Sequence, residues 1–178
     1  SALPKLIITV AAAVLWNNIF MQLKGIGVNM IALGSDHAGF PLKQEIMKHF
    51  DEIGVEYKDY GCYSPERFDY AIAAQKACDA VVSGDCDKAV LCCGTGIGIS
   101  MAANKVKGIR AAACSDYFSA KYTRLHNDAN CLCLGDRVVG AGLALELVDV
   151  FINTGFEGGR HATRVGQIMD IEAGKKLY

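Results

Sequence analysis

From Met30 onward, short β-prone runs alternate with longer segments that have the period of a helix. The runs are mostly apolar and are bounded by Gly, Asp or Ser, as expected for strands that are buried on both faces of a parallel sheet. The pattern predicts five strands, at residues 30–34, 55–60, 88–93, 109–114 and 130–134.

The intervening segments carry their apolar residues on one helical face. After Pro41, apolar residues from Leu42 to Ile53 recur at spacings of i, i+4, i+8 and i+11, and Gly54 marks the end of the helix. Similar patterns predict further helices at residues 69–83, 97–104, 116–125, 140–153 and 160–175.

This alternation predicts one α/β domain over residues 30–178, a three-layer αβα sandwich around a five-stranded parallel sheet, Rossmann-like or flavodoxin-like. Right-handed crossovers favour the strand order 2-1-3-4-5. In such a sheet, strands 1 and 3 flank the point where the strand order reverses, and ligands bind at the carboxyl ends of the strands around it. We therefore expect the chemistry in the loops after these two strands.

Residues 1–29 precede the predicted domain. The stretch from Leu6 to Leu23 is uncharged for 18 residues, which reaches the lower length limit for a membrane span. Three amide side chains interrupt it, and no small-residue cleavage site follows it. We interpret residues 1–29 as an N-terminal extension or an added leader, and we expect no membrane partner.

The composition agrees with a compact globular domain. The 178 residues are 52% hydrophobic and 21% charged and include three prolines, which argues against disorder and low-complexity sequence. Lys and Arg number 18 against 19 Asp and Glu, so no overall positive field indicates a nucleic-acid partner.

The cysteines form no C-x-x-C pair, and most of them lie in apolar runs. A chain of this length does not need disulfides for stability, so we interpret them as reduced thiols of a cytoplasmic protein. They are Cys62, Cys78, Cys86, Cys92, Cys93, Cys114, Cys131 and Cys133.

Three alternating glycines follow the third strand, in the segment CGTGIGIS at residues 93–100. Successive backbone amides in such a loop can converge on an oxyanion, and the N-terminus of the following helix adds a partial positive charge. The spacing differs from the dinucleotide motif G-x-G-x-x-G, and no P-loop motif occurs. A tight turn with only a structural role is the alternative.

Cys93 is the last residue of the third strand and borders this loop. Beside a helix N-terminus it could act as a base or nucleophile. Its neighbour Cys92 points to the opposite side of the strand and is better interpreted as a small buried hydrophobic residue.

The loop after the first strand reads GSDHAG at residues 34–39. Asp36 and His37 place a carboxylate and an imidazole across the predicted crevice from the glycine loop, and such a pair can transfer protons near neutral pH. The alternative is that Asp36 caps the Pro41 helix and His37 is a surface residue.

Further polar candidates follow later in the chain. His126 closes the fourth predicted helix, where interaction with the helix dipole is the alternative role. Arg137 follows the fifth strand, and Arg160 and Arg164 share a helical face beside His161, an arrangement suited to a phosphate dianion. We find no grouping of carboxylates and histidines typical of a metal site and predict none.

Several motifs in order closely resemble type B ribose-5-phosphate isomerases, a family that also contains galactose-6-phosphate isomerase subunits. They are GSDHAG at 34–39, CGTGIGIS at 93–100 with AANK at 102–105, HND at 126–128 and GGRH at 158–161. The resemblance runs from Met30 to near the end of the chain and does not include residues 1–29.

The resemblance implies interconversion of D-ribose 5-phosphate and D-ribulose 5-phosphate in the pentose phosphate pathway, without a cofactor. It makes Cys93 the base that moves a proton between C1 and C2 through an enediolate, assisted by Thr95, and it makes His126, with Asp36, the residue that opens the furanose ring. The implied substrate-binding residues are His37, Tyr70, Gly94, Gly96, Ile97, Gly98, Ser100, Asn127, Arg137, Arg160, His161 and Arg164.

The resemblance also implies a homodimer whose active sites take residues from both subunits, with tetramers as a further option. The chain departs from the family pattern at residues 69–71, where Asp-Tyr-Ala replaces the usual Asp-Tyr-Pro. We therefore expect the entry to that helix to differ while Tyr70 still faces the site.

Three other functions stay open at this point. A close variant acts on a hexose 6-phosphate such as allose or galactose 6-phosphate, because the shape of the pocket selects the length of the sugar. A non-catalytic module that binds a phosphate ligand or a flavin is compatible with the same fold. A thiol redox protein would need a reversible disulfide near Cys93.

Overall fold

The computed structural model describes residues 30–178. At its centre, five parallel strands form one sheet: β1 (Ile31–Ser35), β2 (Tyr57–Asp59), β3 (Lys88–Cys93), β4 (Ala111–Ala113) and β5 (Cys131–Gly135). All five predicted strands are confirmed, with ends that move by at most two residues. The extension predicted at residues 1–29 lies outside the described residues.

Helices connect the strands as the apolar pattern predicts. They are α1 (Phe40–Ile53), α2 (Tyr70–Ser83), α3 (Ile97–Ala103), α4 (Tyr117–Asn127), α5 (Ala141–Asn153) and α6 (Arg160–Glu172). Gly54 ends α1 in the left-handed conformation, and the Asp116 side chain starts α4 by accepting a hydrogen bond from the Ser119 amide at 2.8 Å.

The sheet has the order β2-β1-β3-β5-β4, so the predicted order 2-1-3-4-5 is wrong for its last two strands. The reason lies in the two sequences. β5 has five fully buried residues, whereas β4 has three residues that are only partly buried or exposed. The longer apolar strand therefore pairs with β3 in the interior, and the short strand takes the edge.

The two faces of the sheet pack against different kinds of side chain. On one face, α1 and α5 contribute large residues such as Phe50, Leu147 and Phe151. On the other face, α2 and α3 approach closely through small residues, including Ala77 and Cys78. These layers confirm the predicted αβα sandwich.

The direction of each element decides where the candidate residues lie. The loops after β1, β3 and β5 all leave the sheet at its carboxyl end. Helix α4 returns from that end, so its last residues lie beside the amino end of β5. Among the described residues, no helix is long and apolar enough to cross a membrane.

Candidate active site

Cys93 lies at the carboxyl end of β3 with 4% of its surface exposed. Its side chain joins the core under α2 and α3, whereas Cys92 joins the core under α1 and α5. The predicted opposite orientation of the two thiols is thus confirmed. The Gly96 amide donates a hydrogen bond to Cys93 Sγ at 3.1 Å, which places the sulfur against the glycine loop.

The glycine loop leads into α3 as predicted, and two of its glycines leave little room for a side chain. Gly96 has a φ of 77°, and a Cβ there would lie 3.0 Å from the carbonyl carbon of Leu134. A Cβ at Gly98 would lie 3.1 Å from the ring of Tyr70. The loop is thus a tight turn packed against β5 and α2, and one of its amides contacts the thiol.

The polar side chains of the loop have local hydrogen bonds. The Thr95 hydroxyl is exposed and accepts a hydrogen bond from the Ile97 amide at 3.3 Å. The buried Ser100 hydroxyl donates to the Ile97 carbonyl at 2.7 Å, so Ser100 fixes the first turn of α3. Ile97 itself is exposed.

Arg137 reaches the same loop because β5 lies next to β3. The Asp136 amide donates to the Cys93 carbonyl at 2.9 Å, and the Arg137 amide donates to the Gly94 carbonyl at 3.1 Å. Arg137 Nη1 lies 3.5 Å from the position that a Cβ would take at Gly94. The guanidinium is thus held beside the glycine loop, a placement that the predicted strand order would not give.

The loop after β1 approaches from the other side. Asp36 is buried, and its Oδ1 accepts a hydrogen bond from the Gly39 amide at 2.8 Å. Because Gly39 is itself the residue before α1 and the helix has no side-chain cap, Asp36 fixes the preceding loop and does not cap the helix. His37 is exposed, and its Nδ1 accepts from the Phe68 amide at 3.3 Å. Tyr70, the first residue of α2, is 43% exposed with its ring against Gly98.

These residues form what we call the Cys93 cluster, at the carboxyl end of the sheet. Its members are Asp36, His37, Tyr70, Cys93, residues 94–100 and Arg137.

A second group, the His126 cluster, lies where α4 ends and α6 begins. The rings of His126 and His161 stack with centroids 3.9 Å apart and planes at 7°, and the Tyr122 ring meets His126 edge-on at 4.8 Å. A single oxygen of Glu157, Oε2, lies 3.6 Å from His126 Nε2 and 3.7 Å from His161 Nε2. The Arg160 Nε–H donates to His161 Nε2 at 3.3 Å.

The other members of the His126 cluster are Asn127 and Arg164, which are both exposed. Asn127 is the last residue of α4, and its carbonyl accepts a hydrogen bond from Arg110 at 3.1 Å. Arg164 lies one helical turn after Arg160 on α6, as predicted.

His161 is the titratable group of this cluster with a clear shift. Burial lowers the pKa of its imidazole below the usual 6.5, with further lowering by the nearby His126 and Arg160. The Glu157 carboxylate acts in the opposite direction. His161 therefore favours the neutral form, in which its Nε2 accepts the hydrogen bond of Arg160.

The chain does not bring the two clusters together. Cys93 pairs with Gly135 at the carboxyl end of β5, whereas His126 lies five residues before Cys131, which begins the strand. The four residue steps from Cys131 to Gly135 alone span about 13 Å. Within one chain, Cys93 and Asp36 are therefore at the opposite end of the sheet from His126 and the arginines of α6.

The described residues include one group with donor atoms close enough to hold a metal ion, although the sequence pattern predicts none. The donor atoms of His126, Glu157 and His161 all lie within 4.8 Å of one another. A cavity of about 570 Å³ opens nearby at the β4 edge of the sheet. Asn127 is part of its lining, together with Arg110, Ile168 and Ile171, but no residue of the Cys93 cluster lines it.

All eight cysteines are free and buried. Burial raises the pKa of the Cys92 thiol well above its ordinary value and that of Cys114 to about 11. The Cys131 and Cys133 sulfurs lie 3.8 Å apart on one face of β5, and the hydrogen bond between them, followed by burial, raises the pKa of the Cys131 thiol. These thiols are packed as hydrophobic groups.

The sequence pattern did not predict the roles of two polar residues, Lys43 and Glu157. Lys43 is fully buried, and its Nζ lies 2.6 Å from both carboxylate oxygens of Asp59. Nothing in the pattern marks this lysine as buried. Glu157 has a weak signal, because it stands four residues before His161 and thus within reach of its ring.

Residues 31–168 match the family model of ribose/galactose isomerases. The chain is 51% identical to ribose-5-phosphate isomerase B of Escherichia coli over 142 residues, which cover 80% of this chain and 95% of that protein.

Solved structures agree with the sequence comparison. The fold superposes on ribose-5-phosphate isomerase B of Clostridium thermocellum with a TM-score of 0.80 and 51% identity, covering 82% of this chain and 98% of that one. A ribose 5-phosphate isomerase of Thermotoga maritima gives a TM-score of 0.79 and 43% identity, covering 81% and 99%.

Proposed function

The chain belongs to the ribose/galactose isomerase family, and we propose that it interconverts D-ribose 5-phosphate and D-ribulose 5-phosphate. The observation that carries the assignment to particular residues is the position of Cys93, whose sulfur faces a loop of backbone amides and accepts one of their hydrogen bonds. A base beside several amide donors is what proton transfer next to a carbonyl requires.

In the proposed reaction, Cys93 moves the proton between C1 and C2. The thiolate takes the proton from C2 of the open-chain aldose, the C1–C2 double bond forms, and the electron pair of the carbonyl moves to O1. A proton then passes from O2 to O1, assisted by the Thr95 hydroxyl. The thiol returns its proton to C1, which leaves the carbonyl at C2. The amides of residues 94–100 stabilise the negative oxygen.

The phosphate and the sugar ring are assigned to the remaining residues. The phosphate is bound by His37 and Arg137 from one cluster and by Arg160 and Arg164 from the other, because guanidinium groups form forked hydrogen bonds with phosphate oxygens. His126, with Asp36, opens the furanose ring before proton transfer, and Asn127 orients the sugar.

This assignment requires a homodimer, since the two clusters lie at opposite ends of one chain. In a dimer with two-fold symmetry, the Cys93 cluster of one subunit meets the His126 cluster of its partner, and the same contact repeats at the second site. Each active site then takes residues from both subunits. Exposed apolar residues near the glycine loop, Ile97 and Met101, support an interface there.

We also propose a cytoplasmic location. Eight buried free thiols are typical of proteins that fold in a reducing compartment, where disulfides do not persist.

Replacing Cys93 by alanine tests the proposed function. We expect Cys93→Ala to lower kcat for D-ribose 5-phosphate by at least about a hundredfold, because general-base catalysis contributes about 10² to 10⁴ in rate. Cys92→Ala is the matched control, since it removes a neighbouring buried thiol from the opposite face of the strand and leaves the site unchanged. Activity close to that of the wild type in folded Cys93→Ala would refute the assignment.

A further inference from the structure

Glu157 is at the centre of the His126 cluster, but the proposed mechanism gives it no role. We propose that Glu157 is a positioning residue, whose negative charge beside Nε2 of His126 favours the tautomer with the proton on that nitrogen and leaves Nδ1 free for the sugar. This inference rests on the proposed function, in which His126 opens the furanose ring.

The backbone fixes Glu157 beside His126. The Glu157 amide donates a hydrogen bond to the Leu125 carbonyl at 3.0 Å, one residue before the histidine. A second bond, from Arg124 Nε to the Thr154 carbonyl at 3.1 Å, attaches the start of the same loop to α4. The carboxylate is therefore presented to the ring by a loop that is hydrogen-bonded to the histidine's own helix.

Neighbouring rings limit the freedom of His126. His161 covers one of its faces, and Tyr122 contacts it edge-on. Within this packing, a rotation of the ring by half a turn about its Cβ–Cγ bond would place Cδ2 where Nδ1 lies and Cε1 where Nε2 lies. The Glu157 oxygen lies 3.6 Å from Nε2, beyond hydrogen-bond distance, and its negative charge favours the ring orientation and tautomer in which Nε2 faces it and carries the proton.

His161 does not compete for this role. Its Nε2 already accepts a hydrogen bond from Arg160, so it has no proton to offer to Glu157. His126 is therefore the imidazole whose Nε2–H can face the shared oxygen. A carboxylate that orients a catalytic imidazole through its second nitrogen is a recurrent arrangement in enzymes.

A metal ion fits the same three residues less well. The two imidazoles lie in nearly parallel planes 3.9 Å apart, so their lone pairs do not converge on one point. In addition, the Arg160 guanidinium occupies the ligating nitrogen of His161 with a positive charge. The arrangement thus favours a role for Glu157 in placing the proton of His126, not in binding a metal ion.

The test is Glu157→Gln, which keeps the size of the side chain and removes its charge. Glu157 is 57% exposed, so we expect the variant to fold. The control is Glu146→Gln, which removes the same charge from an exposed position on α5. Both variants and the wild type are assayed with D-ribose 5-phosphate, and their histidine ring nitrogens are followed by 15N NMR.

We expect Glu157→Gln to lower kcat about tenfold or more and to change KM by less than about twofold, because Glu157 acts on His126 and not on the phosphate. We also expect the population of the Nε2–H form of His126 to fall. Glu146→Gln should match the wild type in both measurements.

An unchanged His126 tautomer in Glu157→Gln would overturn the positioning role, and so would a kcat within about twofold of the wild type. If the wild type itself fails to convert D-ribose 5-phosphate, the proposed function fails. The NMR measurement still decides whether Glu157 orients the ring, so the two failures are distinguishable.

Discussion

The rings of His161 and His126 stack with centroids 3.9 Å apart, but the His161 side chain is buried and the His126 side chain is partly exposed. His161 is buried, and its pKa lies below that of an exposed histidine because of this burial and the nearby positive groups. The unfolded chain therefore binds a proton at this residue at pH values where the folded chain does not. Folding stability attributable to His161 is fully present above about pH 6.5 and is lost as the pH falls below it.

The lowered pKa of His161 predicts how the stability of the fold changes with pH. We expect the free energy of unfolding to decrease between about pH 7 and pH 5.5, and to decrease less in His161→Asn, which cannot take up the proton. Urea unfolding of both proteins at several pH values measures the difference between the two slopes. Equal slopes would mean that His161 has the same proton affinity in the folded and unfolded chains.

At this scale, the sequence identified residues by type and position but not by their partners. The positions of Cys92 and Cys93 at the end of β3 were sufficient to predict that their side chains point to opposite faces of the sheet, because side chains alternate along a strand. Lys43 was missed, since its partner Asp59 lies on another element and a lysine beside Leu42 on α1 has no apolar signature. Such pairs depend on the tertiary fold, which a local pattern does not contain.

Among the elements, β5 decides the geometry of the site. It lies next to β3, so its carboxyl end carries Asp136 and Arg137 to the glycine loop. Gly135 makes the approach possible, because a Cβ there would overlap the backbone of Thr95.

Gly135→Ala is therefore expected to push β5 and the glycine loop apart. We predict a loss of about 1 to 3 kcal/mol in the free energy of unfolding, the usual cost of overpacking. We also predict a fall in kcat, because the amides and Arg137 move relative to Cys93. Urea unfolding and the isomerase assay measure the two effects.

Gly142→Ala is the matched control, since Gly142 lies within α5 and a Cβ there meets nothing within 4 Å. It should keep its activity and gain up to about 1 kcal/mol in stability. If Gly135→Ala also keeps its activity and its stability, the close contact between β5 and the glycine loop is not needed for either property.

The elements themselves could be predicted almost completely from the sequence. Apolar periodicity, Gly54 and Asp116 were enough to locate the helices and strands to within a few residues. The order of β4 and β5 could not be predicted in the same way, because both strands follow a helix and both fit a right-handed crossover. Their burial distinguishes them, and burial follows from length and neighbours in the folded sheet.

On the scale of the whole molecule, the main feature is the division of the candidate residues between the two ends of the sheet. The motifs of the sequence indicate one site, but one chain places Cys93 and His126 at opposite ends. The proposed homodimer accounts for this division, because two-fold symmetry would join the Cys93 cluster of one subunit to the His126 cluster of its partner at both sites.

Hybrid dimers show whether each active site takes residues from both subunits. Cys93→Ala and His126→Ala are each expected to be inactive as pure dimers. When the two variants are co-expressed in equal amounts, half of the dimers are hybrids, and each hybrid contains one site with both residues intact. We expect the mixture to regain about one quarter of the wild-type kcat per subunit. A mixture that stays as inactive as the separate variants, although hybrid dimers are shown to form, would contradict the proposed sharing of residues between subunits.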